Sequence, residues 1–149
     1  MKLKNLCFSV VFAALILVPA LGPAQCPKSF VKKNCVPKIS PFTSHGQLNS
    51  TVMLAGQTAE LMLNFSAGLN YRLLICSQEV LGIVEFKLMD KDRNVLFTNT
   101  QAKGNPDFWD FNVKTTQQFI VEVSIPVPQK TNSIIPSGCV SVLVGFKEK

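Results

Sequence analysis

His45 is the only histidine among the 149 residues, and it stands in the tripeptide Ser44-His45-Gly46. A Ser-His-Asp triad would place it against a serine nucleophile, but the sequence has no G-x-S-x-G motif to present one. A Cys-His pair is also disfavoured, because we expect the cysteines beyond the N-terminal apolar stretch to be oxidised. We therefore expect an exposed loop histidine and no enzyme activity; a hydrolase with an unrecognised site is the minor alternative.

Two carboxylates flank an aromatic pair, since Asp107 and Asp110 enclose Phe108 and Trp109. Trp109 alternates with apolar residues at two-residue spacing, so we expect it in the core rather than as a platform for a sugar ring. Phe108 has the opposite parity and should be exposed. The sequence therefore predicts a ligand-contacting loop made of Asn105, Asp107, Phe108 and Asp110.

Oxygen-bearing side chains at alternate positions, Asp90, Asp92 and Asn94, resemble the start of a calcium loop. A complete EF-hand loop would also need Gly at its sixth position and Glu at its twelfth, where this chain has Val95 and Gln101. A polar hairpin turn is the favoured interpretation, and a weak calcium site completed by another loop is the alternative. Zinc is not expected, because no C-x-x-C pair is present, and no cofactor is predicted.

The charge is concentrated near the N-terminus. Lysine and arginine outnumber aspartate and glutamate by 15 to 9, a net charge of +6, yet nine basic and nine acidic residues balance from residue 39 onward. A body-wide basic face is therefore absent, which excludes nucleic acid as a partner. Two of the surplus lysines lie in the first four residues. The other four, which form a candidate docking site for an acidic surface, are Lys28, Lys32, Lys33 and Lys38.

The N-terminus predicts a secretory signal peptide over residues 1–24. Two lysines precede an apolar run at residues 6–21, and the small residues Gly22 and Ala24 occupy the −3 and −1 positions of a cleavage site. The run is shorter than the roughly 20 residues needed to span a bilayer, and no later segment is long enough. We expect a secreted, periplasmic or cell-envelope protein; an uncleaved anchor and lipidation of Cys26 are the alternatives.

Four cysteines follow this segment: Cys26, Cys35, Cys76 and Cys139. An even count in an exported chain indicates two disulfides, for which three connectivities exist. Proximity in the sequence favours Cys26–Cys35, which leaves Cys76–Cys139. Residues 25–45, with three prolines and no regular period, are predicted to form an irregular basic segment closed by its own disulfide.

From residue 46 to 149 the pattern is that of β-strands. Apolar residues alternate with polar ones in about eight short stretches separated by turn signals, at residues 50–54, 58–65, 71–76, 84–88, 95–97, 109–113, 118–125 and 140–146. Such a pattern predicts an all-β fold, a two-sheet antiparallel β-sandwich of the jelly-roll or Greek-key type. The predicted core is Leu61, Leu63, Leu73, Ile75, Val84, Phe86, Leu88, Trp109, Phe111, Val121, Val123, Val142 and Val144.

Strand parity places Cys76 and Cys139 on the faces opposite these apolar stripes. Each sheet is therefore expected to have one face in the core and one in water, with both cysteines pointing away from the core.

The order of five motifs resembles a known type of domain. These motifs are residues 54–58 (LAGQT), 65–73, 84–97, 109–113 and 119–123 (FIVEV). They are similar to the small jelly-roll sandwiches of the pre-peptidase C-terminal and GOLD type. The resemblance implies an accessory domain of an exported or luminal protein, used for binding and assembly, and supplies no catalytic residues.

The sequence thus predicts an exported binding or assembly module that contacts a protein or a glycan through loops at one end of the sandwich. The alternative is a structural or interaction protein that docks to an acidic surface through its basic N-terminal loop. Two N-glycosylation sequons, at Asn49 and Asn64, bear on this only in a source that glycosylates exported proteins.

Overall fold

The structure is a computed structural model that describes residues 26–128 and 134–148, except for the Gln47 side chain; the predicted signal peptide lies outside these residues. It contains the eight expected strands. They are β1 (Thr43–Leu54), β2 (Thr58–Phe65), β3 (Asn70–Ser77), β4 (Glu85–Met89), β5 (Val95–Thr98), β6 (Phe108–Asn112), β7 (Gln117–Ser124) and β8 (Ser137–Lys147).

The strands form two four-stranded antiparallel sheets, ordered β1-β8-β3-β6 and β2-β7-β4-β5. We call them the 1-8-3-6 sheet and the 2-7-4-5 sheet. In this order β1 lies beside β8, β2 beside β7, β3 beside β6 and β4 beside β5, as in a ribbon of strands rolled around a core. This nesting defines the jelly roll and confirms the predicted fold class.

The inner faces of the two sheets enclose the core that alternation predicts. All thirteen predicted core residues lie in it, nine of them buried and four partly buried. The ring of Trp109 is stacked between Phe97 and Phe111, with ring centroids 4.6 and 5.0 Å away. Trp109 is therefore a core residue, as expected, and its faces are not open to a sugar.

Contrary to the prediction, the N-terminal segment has regular local structure. It forms an α-helical turn at Lys28–Phe30, a π-helical turn at Val31–Cys35 and a 3₁₀ turn at Val36–Ile39, and β1 begins at Thr43, before residue 45. We call residues 28–39 the N-terminal helical segment. Each turn is only three to five residues long, so no sustained period of 3.6 marks it in the sequence.

This segment covers the outer face of the 1-8-3-6 sheet, which was expected to face water. Its buried residues pack on that face to form a second, small core made of Val31, Cys35, Ile39, Leu74, Cys76 and Leu143. The approach is close at Gly145, where an added Cβ would lie 2.7 Å from Ile39 Cγ1 and from Phe42 Cβ. Glycine at this point of β8 therefore makes room for the chain that crosses it.

The four cysteines form two disulfides, as predicted, but the pairing favoured by proximity in the sequence is wrong. Cys26 is bonded to Cys139 and Cys35 to Cys76, with Cα separations of 5.4 and 5.6 Å. Both bonds tie the N-terminal segment to the outer face of the 1-8-3-6 sheet, instead of closing one loop within the segment. The parity argument is confirmed, since Cys76 lies on the face opposite the main core. The Cys26 sulfur is engaged in this bond, which favours the disulfide over the lipid alternative.

Candidate binding surface

The predicted ligand-contacting residues Asp107, Phe108 and Asp110 contact other parts of the chain. Arg72 on β3 lies directly opposite Asp110 on β6 and donates to both carboxylate oxygens at 2.7 Å. The guanidinium carbon lies 4.3 Å from the Phe108 ring centroid and 4.7 Å from that of Phe42, so both rings contact the cation. Hydrogen bonding to Asp110 raises the pKa of Arg72 above its ordinary value.

Two further contacts extend this cluster to the N-terminal segment. Arg72 Nη1 donates to the Ser40 carbonyl oxygen at 2.8 Å, and Lys38 Nζ lies 3.1 Å from Asp107 Oδ2. Through Ser40 and Phe42, Arg72 therefore holds the stretch of chain between the N-terminal helical segment and β1 against the sheet. These carboxylates have partners within the chain, and whether they also contact a ligand stays a prediction.

Asn105 is separated from the other three predicted residues. It adopts a positive φ of 44° in the loop between β5 and β6, and its side chain lines a groove at the loop end of the sandwich. That groove also involves the loops that follow β3 and β7. Of the predicted set, Asn105 alone thus lines this groove.

The Asp90 turn is a polar hairpin turn, as favoured. Asp90 Oδ1 accepts hydrogen bonds from the backbone N–H groups of Asp92 and Asn94, and Oδ2 accepts one from Asn94 Nδ2, all at 2.8–2.9 Å. The Asn94 side-chain bond, with the backbone bonds, holds the pKa of Asp90 below its ordinary value. Both carboxylate oxygens of Asp90 therefore accept hydrogen bonds from within the turn.

His45 is exposed, and its ring packs edge-on against Phe146 at a centroid distance of 6.1 Å. Among the residues that the structure describes, no three His, Cys, Asp or Glu side chains lie close enough together to hold a metal ion. Within the same ranges, no helix is long and apolar enough to cross a membrane.

All four predicted docking lysines are exposed on the N-terminal helical segment. Lys28 and Lys32 border a groove between this segment and β1, while Lys33 does not line it. In the described part of the chain, neither Lys28 nor Lys32 has a carboxylate within salt-bridge distance. Lys38 differs, because Asp107 neutralises it.

Exposed aliphatic side chains gather at the end of the sandwich that carries the loops after β1, β3, β5 and β7. We call this set the apolar loop end; its members are Val80, Ile83, Val127, Ile134 and Ile135, and between 58% and 81% of each residue is exposed. A groove of about 460 Å³ separates the loops and is lined by Ile83, Val127, Asn105 and two prolines, among others. Clustered exposure of this kind marks interaction sites.

Backbone hydrogen bonds tie these loops to one another. The turn after β1 donates from Ala55 N–H to the Pro136 carbonyl and from Gly56 N–H to the Ile125 carbonyl, at 2.9 and 2.7 Å. Gln78 N–H donates to the Cys139 carbonyl at 2.9 Å, which fixes the loop after β3 beside the start of β8. These bonds hold the ends of the loops that carry the apolar side chains.

Alternation does not predict the apolar loop end, because it identifies strands and these residues lie between strands. A signal was nevertheless present. Residues 126–128 (PVP) and 134–136 (IIP) combine aliphatic side chains with prolines, which exclude a central strand and leave the apolar residues without a place in the core.

Comparison with known proteins supports the fold. No family model matches the chain, and no curated protein matches it. Among solved structures, one that matches is the Aeromonas hydrophila protein PliG, a periplasmic lysozyme inhibitor of g-type lysozyme. It is 12% identical with a TM-score of 0.50, over 72% of this chain and 89% of that one. At this identity the likeness defines a shared fold, and it does not bear on the resemblance to pre-peptidase C-terminal or GOLD-type domains.

Proposed function

We propose that this protein is an exported, non-enzymatic binding protein that captures a protein partner through its apolar loop end. The observation that carries the proposal is the set of five exposed aliphatic side chains on loops held by backbone hydrogen bonds. Burying them against a partner is favourable at about 25 cal/mol per Å² of apolar surface. Because the described ends of these loops are held by backbone hydrogen bonds, ordering them on binding costs less entropy.

The chemistry of the surface favours a protein over a glycan. The described loop residues at this end, 55–57, 78–84, 99–107, 125–128 and 134–136, include no Phe, Tyr, Trp or His. Sugar rings are bound on aromatic faces with converging polar groups, whereas aliphatic side chains suit the apolar centre of a protein interface.

Export is supported by two features. The disulfides Cys26–Cys139 and Cys35–Cys76 require an oxidising compartment, and the sequence before them has the order of a signal peptide. The similar fold of a periplasmic lysozyme inhibitor is compatible with this location. It also makes a secreted hydrolase, with lysozyme first, the partner class to test.

The experiment measures binding to g-type and chicken-type lysozyme on a biosensor, together with lysis of a cell-wall suspension. We expect saturable binding of one lysozyme, with Ile83→Ser and Ile135→Ser each weakening it about tenfold, which corresponds to about 1.4 kcal/mol. Met62→Ser is the matched control, because Met62 is equally exposed but lies on β2.

Absence of binding to either enzyme would reject the lysozyme version. A partner then recovered from the extracellular fluid of the source would be tested with the same three variants. If Ile83→Ser and Ile135→Ser bound that partner as tightly as Met62→Ser, the apolar loop end would be rejected as the binding surface.

A further inference from the structure

The β1 edge of the sandwich carries a second interaction surface, distinct from the apolar loop end. β1 is the outermost strand of its sheet, with β8 on one side and no strand of the described chain on the other. β1 spans Thr43–Leu54 and contains neither proline nor an acidic residue. Its register with β8 is irregular between Ser44 and Leu48 and continuous from Leu48 to Leu54. The continuous part is an unprotected edge and a template for pairing with another strand.

The direction of the backbone groups along this edge follows from Leu54. Its N–H donates to Gln57 Oε1 at 2.8 Å and its carbonyl accepts from Gln57 N–H at 3.0 Å, so both groups point away from β8. Because hydrogen-bonding direction alternates along a strand, the N–H and carbonyl groups of Leu48, Ser50 and Val52 point the same way.

Grooves lie on both sides of this edge. On the inner side, a cleft of about 350 Å³ opens between β1 and β2. Aliphatic residues of β7, β8 and β2 form most of its lining, together with Met53, and its polar lining includes Glu60, which is paired with Arg93. On the outer side, a groove of about 480 Å³ lies between β1 and the N-terminal helical segment. Leu48 and Ser50 border both, and Leu48 is 53% exposed.

The two grooves differ in charge. Aliphatic side chains dominate the inner cleft, whereas Lys28 and Lys32 stand at the outer groove without a carboxylate partner in the described chain. Successive side chains of a strand point to opposite faces. A strand added beside β1 would therefore place every second side chain in the aliphatic cleft and the others beside the lysines.

We propose that β1 binds an extended segment of another protein in which aliphatic and acidic residues alternate. Backbone hydrogen bonds to Leu48, Ser50 and Val52 would supply affinity, and the two grooves would supply specificity. The lysines would select acidic side chains on the outer face. A second copy of this chain does not fit, because its β1 has no acidic residue and would bring a second pair of lysines to the same groove.

Residues 1–25, 129–133 and 149 contain no Asp or Glu, so none of them matches the alternating pattern of the proposed occupant.

The test uses the protein and a blocked octapeptide of alternating Val and Glu, followed by NMR of the labelled backbone amides. We expect saturable shifts concentrated at Leu48, Ser50 and Val52, and binding about tenfold tighter than that of a peptide with four Val followed by four Glu. Equal binding of the two peptides, shifts confined to the apolar loop end, or no saturable shift at millimolar peptide would overturn the proposal.

Two pairs of variants separate the contributions. Lys28→Glu/Lys32→Glu should weaken the alternating peptide about tenfold, with Lys33→Glu as the control outside the groove. Ser50→Pro removes an outward N–H and should abolish binding, whereas Ser50→Ala loses the same hydroxyl contact to Ser141 and should retain it. Unchanged affinity in the lysine pair would refute the charge selection even if the proline variant failed to fold.

Discussion

Arg72 and Asp110 are direct neighbours across β3 and β6, and the two nitrogen–oxygen distances between them are both 2.7 Å. The side chain of Arg72 is 13% exposed and that of Asp110 is 42% exposed. The pair therefore lies at the boundary of the covered face. The rings of Phe42 and Phe108 also pack against the Arg72 guanidinium. Arg72 therefore joins the N-terminal segment to the sheet by an ion pair and by stacking of its planar group on the two rings.

Replacing Arg72 by lysine should destabilise the protein although the charge is kept. Lysine has neither the fork that reaches both Asp110 oxygens nor the planar group that stacks on the two rings. We expect a loss of about 1–2 kcal/mol in the free energy of unfolding, measured with urea. Arg93→Lys is the matched control, because Arg93 makes the same two-oxygen contact with Glu60 at an exposed position. An equal loss in both variants would contradict the role given to the rings and to burial.

Asn99 should be indispensable for the stability of β4. It is 1% exposed; its side-chain oxygen accepts from the Phe86 N–H and its Nδ2 donates to the Val84 carbonyl, both at 2.9 Å. Asn99→Ala leaves both backbone groups without partners in the interior, so we expect a loss of about 2–4 kcal/mol.

Asn112→Ala is the control for this substitution. Asn112 Nδ2 donates to the Leu69 carbonyl at 3.0 Å, but at an exposed site where water can replace it. Its loss should stay below about 1 kcal/mol by chemical denaturation. Similar losses for the two variants would show that burial is not what makes Asn99 important.

Peptide mapping without reduction should recover Cys26 joined to Cys139 and Cys35 joined to Cys76. Removing the second disulfide with Cys35→Ala/Cys76→Ala should lower the free energy of unfolding by about 3–4 kcal/mol. The bond closes a loop between residues 41 positions apart, and without it the unfolded chain gains conformational entropy. Recovery of a Cys26–Cys35 peptide would contradict the structure.

Asp90 should titrate below the ordinary aspartate value of 3.8, and Asn94 is the main reason. Because its pKa is lower folded than unfolded, its contribution to stability is complete above the unfolded pKa and is lost as pH falls through the folded pKa. In a carboxyl NMR titration, Asn94→Ala should move the midpoint upward, while Asn112→Ala, which does not touch Asp90, should leave it unchanged. Identical midpoints in the wild type and Asn94→Ala would exclude the turn as the cause.

Alternation was sufficient to predict the strands and the main core, because period-two patterning is imposed locally by the pleat wherever one face is buried. It correctly gave Trp109 an inward and Phe108 an outward direction. It could not give the partner of Asp110, since Arg72 is 38 residues away and meets it only through the β3–β6 register. Nor could it give the disulfides: parity set the direction of Cys76, but only the path of the N-terminal helical segment brings Cys35 to it.

The Cys26–Cys139 bond has a consequence for the order in which the protein matures. The two sulfurs are separated by 113 positions, and Cys139 belongs to the last strand to be synthesised. While the chain is being made, the nearest thiol to Cys26 is that of Cys35, which would give the wrong bond. Correct oxidation must therefore follow completion of β8, or an isomerase must undo early bonds. A compartment that oxidises thiols before β8 is complete must therefore also reshuffle them to yield this protein.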